Sequence, residues 1–228
     1  LHDNSVRDIT INFPLYNSVK TVRIGLEEGA LLSCSDGYTD KKPIVFYGSS
    51  ITQGGCASRP GNSYQALISR RFNIDYFNFG FSGNALGEKT MADYIAALPM
   101  SLFFLDFDHN SPNAEHLKAH HESFFLNIRE KNPDLPVIMA TKTDIPRSPA
   151  AEKSNAAHRA VVYETYENAV KRGDRNVIFI DGATVFSKAL TLSAPADSCT
   201  VDGCHPNDLG FACMAKVFGD AIEKMLGL

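Results

Sequence analysis

Hydrophobic and polar positions change rhythm near residue 43. Before that point Ile9-Thr10-Ile11-Asn12-Phe13 and Thr21-Val22-Arg23-Ile24-Gly25-Leu26 alternate with a period of two, separated by the turn-like Pro14-Leu15-Tyr16-Asn17-Ser18. Such alternation predicts two antiparallel strands, each with one apolar face. Two such strands are not stable alone, so they are expected to pack on the remainder of the chain or to be the last strands of a β-domain lying further N-terminal. From Pro43 the pattern becomes short continuous apolar runs separated by segments of helical periodicity. Ile44-Val45-Phe46-Tyr47 is the first run, and Gly48 closes it. Helices are predicted over 62–72, 89–98, 113–131, 150–172 and 208–226, and further strands over 74–79, 101–107, 136–140 and 176–180. In the helix over 113–131, Phe124, Phe125 and Ile128 form the stripe expected to be buried. Runs that are apolar throughout suit strands covered on both faces. Five of them separated by helices predict a parallel five-stranded sheet in a three-layer α/β/α sandwich, preceded by a short antiparallel β segment.

Composition changes this picture little. The chain has 228 residues, 44% of them hydrophobic and 21% charged, the texture of a globular domain with a sizeable core. A net charge of -4 with scattered basic residues argues against a nucleic-acid partner. No apolar run reaches the roughly 18 residues a membrane-spanning helix needs. The sequence begins at Leu1, with neither a basic segment nor an apolar run to read as a targeting peptide. The five cysteines contain no CxxC pair, which argues against a zinc site; Cys199 and Cys204 could close a short bridge only in an oxidising compartment.

The chemistry concentrates in loops that come directly after strands. Gly48-Ser49-Ser50-Ile51 presents two hydroxyls where the first strand ends, the rim at which open α/β sheets bind ligands. Read alone, this is equally an ordinary strand-to-loop turn. Asn78-Phe79-Gly80-Phe81-Ser82-Gly83-Asn84 comes after the second strand and can expose backbone N–H groups. Asp106-Phe107-Asp108-His109-Asn110-Ser111 comes after the third, where an Asn amide could face the same point while Asp108 or Ser111 caps the next helix. Near the C-terminus Asp202-Gly203-Cys204-His205 places a carboxylate three residues before an imidazole. In a tight turn that spacing lets Asp202 accept from Nδ1 of His205 and leaves Nε2 for a serine proton.

With these four blocks in this order, residues 43–228 resemble the SGNH hydrolases, also called GDSL-type esterases and lipases, whose fold is flavodoxin-like. The resemblance implies that Ser50 is the nucleophile, that His205 is general base and acid, and that Asp202 orients it. It also implies an oxyanion site built from the N–H groups of Ser50 and Gly83 and the amide of Asn110, and a reaction that needs no metal or cofactor. Residues 1–42 look like the residual strands of the β-sandwich that precedes the catalytic domain in one branch of the family. Members of that branch are often bacterial and exported, and they deacylate carbohydrates. A small acyl ester, preferably acetyl on a saccharide, is the implied substrate; alternatives are a longer-chain lipase or thioesterase, or an inactive carbohydrate-binding scaffold.

Two features depart from the family pattern. Ser49 stands before the nucleophile where Asp is common, and Asp108-His109-Asn110-Ser111 replaces the usual Gly-x-Asn-Asp block, which puts a second imidazole near the site. Asp106 lies three residues before His109 but inside the predicted strand, where residues three apart face opposite ways, so His205 remains the expected base. The loop Cys56-Ala57-Ser58-Arg59-Pro60-Gly61 is expected to border the substrate. His116 and His120, four apart on one helix, could share a metal, but they lack the carboxylate of an HExxH arrangement and are read as part of a solvated face.

Overall fold

The computed structural model describes residues 5–39, 41–190 and 195–228. A five-stranded parallel sheet forms its centre, in the order β2-β1-β3-β4-β5, with β1 Ile44–Gly48, β2 Tyr76–Gly80, β3 Leu102–Asp106, β4 Val137–Ala140 and β5 Val177–Ile180. The helices are α1 Ser50–Gln53, α2 Tyr64–Phe72, α3 Lys89–Ala96, α4 Ala114–Lys131, α5 Pro149–Lys171, α6 Val185–Ala189 and α7 Asp208–Leu226.

Side chains that alternate along each strand feed two separate cores. Ile44, Phe46, Phe104 and Ile138 face Tyr64 and Ile68 of α2 and Phe211, Met214 and Phe218 of α7. Val45, Tyr47, Phe103, Leu105 and Met139 face α3, α4 and α5, where Phe124, Phe125 and Ile128 of α4 are fully covered. Each such side chain removed from water stabilises the fold by roughly 1.5–3 kcal/mol, so β1 and β3, covered on both faces, anchor the sheet. Because the chain leaves β1 for β2 on one side and returns to β3 on the other, the connections diverge at β1. That divergence leaves a crevice at the strand C-termini.

The N-terminal segment differs from expectation. Residues 5–39 contain no strand, and Ile9, Ile11, Val22, Ile24 and Leu26 stay about half exposed or more. Two alternating stretches make a sheet only when something covers their apolar face, and no partner sheet is present among the described residues. Part of the segment nevertheless docks on the rim at the strand C-termini, through Leu15 and Tyr16.

Candidate active site

Two glycines allow the turn that carries Ser50 to form. A Cβ at Gly48 would lie 2.1 Å from the carbonyl oxygen of Asp106, and one at Gly80 would lie 2.0 Å from the backbone nitrogen of Gln53. Only bare backbone lets β1 end against β3 and lets α1 lie across the end of β2. Ser49 caps α1, its hydroxyl accepting from Ile51 N–H, and Ser50 begins the helix. The Ser50 N–H, in the first turn, has no partner within α1.

The residues picked out at either end of the chain meet here. Ser50 Oγ lies 3.0 Å from His205 Nε2, and His205 Nδ1 lies 2.7 Å from Asp202 Oδ2. A carboxylate only accepts, so Nδ1 carries the proton and Nε2 of the neutral ring is left to accept from Ser50. Asp202 Oδ1 accepts from the backbone N–H of both Cys204 and His205, at 2.8 and 2.7 Å, which fixes the carboxylate in the turn. Its pKa is lowered to about 2, first by the His205 side-chain hydrogen bond and then by the backbone donors. Asn207 caps α7 by accepting from Gly210 N–H, so the Asp-x-x-His turn is clamped directly against a helix start.

Gly83 and Asn110 occupy neighbouring loops. Gly83 has φ +72 in the turn after β2, and Asn110 Nδ2 donates to the Phe81 carbonyl at 2.8 Å. That bond uses one of the two amide hydrogens and holds the second in a defined direction. Asp108 does not cap α4. Its Oδ2 accepts from Lys142 N–H, burial pushes its carboxyl up to about 6, and Asn113 makes the cap instead. Asp106 is buried under Thr52, whose hydroxyl donates to it at 3.4 Å, so it has no part in orienting His109. His109 points its Nδ1 at Cys204 Sγ, 3.8 Å away. The Cys199–Cys204 bridge is not formed. All five cysteines are free thiols, and Cys199 is buried while Cys204 turns toward His109.

Two contributors were missed from the sequence. Gln53 donates to Leu15 O at 3.2 Å and accepts from Ser82 N–H at 2.9 Å, which ties α1 to the glycine loop. Tyr16 donates its hydroxyl to Ser50 O at 3.2 Å. A Gln three residues after Ser50 was visible, but nothing local distinguishes Tyr16 from other turn residues. The 56–61 loop leans on α7, with Ser58 N–H on Asp208 Oδ1 at 2.9 Å, and Arg59 is exposed beyond it. His116 and His120 stack with centroids 4.2 Å apart on α4, and His120 Nδ1 donates to the His116 carbonyl. His2 lies outside the described residues.

The model of the GDSL-like lipase/acylhydrolase family matches residues 41–223. Among solved structures, the chain is similar to a putative GDSL-like lipase from Bacteroides ovatus, with 33% identity and TM-score 0.72 over 82% of this chain and 54% of that one. It is also similar to the salicylyl-acyltransferase SsfX3 of a tetracycline biosynthetic pathway, with 24% identity and TM-score 0.66 over 82% of this chain and 56% of that one. A two-domain esterase active on acetylated mannans shares the fold, with 19% identity and TM-score 0.60 over 82% of this chain and 49% of that one. The chain thus spans about half the length of each of these proteins. No curated protein matches the sequence.

Proposed function

The chain belongs to the GDSL-like lipase/acylhydrolase family, a family of ester hydrolases, and from that premise we propose that it hydrolyses small acyl esters, preferably acetyl groups on saccharides, through a covalent acyl-enzyme on Ser50. The observation that carries this reading is the continuous relay from Ser50 Oγ to His205 Nε2 at 3.0 Å and from His205 Nδ1 to Asp202 at 2.7 Å. His205 Nε2 takes the serine proton as Oγ bonds to the acyl carbon, and the carbonyl oxygen becomes an oxyanion. The imidazolium, steadied by the Asp202 carboxylate, then gives that proton to the departing alcohol as the carbon–oxygen bond breaks. Water repeats the sequence on the acyl-serine and releases the acid and free Ser50.

The oxyanion would be met by the Ser50 and Gly83 N–H groups and by the second amide hydrogen of Asn110. The bond from Asn110 to the Phe81 carbonyl supports this assignment, because it holds the amide to the loop that carries Gly83. The preference for acetylated saccharide draws on the fold shared with an esterase active on acetylated mannans.

Initial rates on p-nitrophenyl esters from acetate to octanoate test the proposal. Acetate should turn over fastest, and Ser50→Ala should abolish turnover, with acetylated oligosaccharides as the confirming substrates. Turnover that survives in Ser50→Ala, or that peaks at octanoate, would overturn the mechanism or the acyl preference respectively.

A further inference from the structure

Behind the catalytic turn, three side chains from separate loops converge without any role in the relay. His109 comes from the 3-10 turn Asp108–Asn110 after β3, Asp144 from the loop after β4, and Cys204 from the turn that also carries Asp202 and His205. One ligand atom from each lies within 4.8 Å of the other two. We propose that His109, Asp144 and Cys204 bind a single borderline-soft divalent cation of the Zn2+ kind.

The donor set is the first reason. Imidazole nitrogen, carboxylate oxygen and thiolate sulfur are the three ligand types that Zn2+ accepts, and the thiolate disfavours Mg2+ and Ca2+. Distance is the second. Zn–S of about 2.3 Å and Zn–N of about 2.05 Å at a tetrahedral angle put the sulfur and nitrogen about 3.6 Å apart. His109 Nδ1 and Cys204 Sγ already stand 3.8 Å apart, and the whole group needs to contract by only about 1 Å to share one ion.

Partnering is the third reason. Asp144 Oδ2 accepts from Asn155 Nδ2 at 3.2 Å, an outer contact that orients the carboxylate, while Asp144 Oδ1 is buried with no hydrogen-bond partner. Only a weak sulfur contact engages His109 Nδ1. Three protein ligands leave a fourth position for water or a small anion. The cysteine spacing gave no hint of this site because its ligands are 35 and 60 residues apart in sequence and only the sheet rim unites them.

Lys142 opposes the cation, since its ammonium acts on both His109 and Cys204. Neutralising that charge should therefore tighten binding. An ion held here would tie together the loop that carries Asn110 and the turn that carries His205.

Metal-free protein is titrated with Zn2+ against a chromophoric chelator and with Co2+ by absorption. The expected result is one cation per chain, a thiolate-to-cobalt charge-transfer band in the near ultraviolet, and a rise in the thermal unfolding midpoint with Zn2+. Cys204→Ser and Asp144→Asn should each weaken binding at least about tenfold, and Cys204→Ser should lose the band. Lys142→Met should bind more tightly, while Cys56→Ser and His120→Ala should bind as the parent does. Unfolding midpoints of the metal-free variants separate lost affinity from lost fold. Absence of binding at millimolar Zn2+, an unchanged affinity in folded Cys204→Ser, or loss of binding in His120→Ala would overturn the proposal. None of these readouts depends on ester turnover, so they stand or fall apart from the hydrolase reading.

Discussion

Replacing Asn110 with Ala tests the oxyanion assignment most sharply, because two different quantities should move by different amounts. The side chain donates to Phe81 O at 2.8 Å, a neutral bond worth about 1 kcal/mol of folding stability. Its second amide hydrogen is assigned to the oxyanion, where loss of one donor raises the barrier by about 2.7–4 kcal/mol, or 10²–10³ in kcat. Stability should therefore fall slightly while kcat falls by two to three orders of magnitude. KM should change little, since the charge that Asn110 meets develops only as the tetrahedral intermediate forms. Asn110→Asp retains the shape but puts an anion where a donor stood, and it should be slower still. The assay is saturation kinetics on p-nitrophenyl acetate alongside urea unfolding of each variant. A kcat within about threefold of the parent, in Asn110→Ala with a near-parental unfolding midpoint, would refute the assignment. A raised KM with unchanged kcat would refute it equally, because it would make Asn110 a ground-state contact.

Two further outcomes rest on the acid–base pair and the turn geometry. The Asp202 carboxyl is depressed to about 2 by its hydrogen bond from His205, so its contribution to stability is present above the unfolded-state value near 4 and is lost as pH falls through about 2. The thermal midpoint of Asp202→Asn should thus depend less steeply on pH across that acid window than the parent's, and equal slopes would contradict the hydrogen bond. Gly80→Ala should destabilise by at least about 3 kcal/mol in urea unfolding, because its Cβ would sit 2.0 Å from Gln53 N; Gly25→Ala, with nothing within 4 Å, should be near neutral.

Much of the fold was legible from residue order alone, and the reason is physical. Strands of a parallel sheet are covered on both faces, so β1 and β3 appear as unbroken apolar runs that no exposed element would carry. The helices α2, α4, α5 and α7 show their buried stripe, and observed boundaries differ from the expected ones by only a residue or two. The elements that escaped notice are α1 and α6, of four and five residues, too short for any periodicity to register. Among the candidate site residues, Asp202 and His205 were readable because their interaction is local to one turn, whereas the Gly48-Ser49-Ser50 stretch marked only a strand end with two hydroxyls, and the family resemblance singled out Ser50.

Alternation alone misled at Ile9–Phe13 and Thr21–Leu26. A period of two records that one face is apolar, but whether a strand forms depends on a partner edge elsewhere, and residues 5–39 have none among the described residues. The same limit hid Tyr16 and Gln53, whose value lies in reaching Ser50 O and Ser82 N across the rim. It also hid the meeting of His109, Asp144 and Cys204. Residue order determined the layers, the strand ends and the local Asp-His pair, because these depend on side-chain periodicity and one turn. Tertiary structure decided which loops share the rim, and with it the 3.0 Å approach of Ser50 to His205, because parallel strands bring together in space groups that are 155 residues apart in the chain.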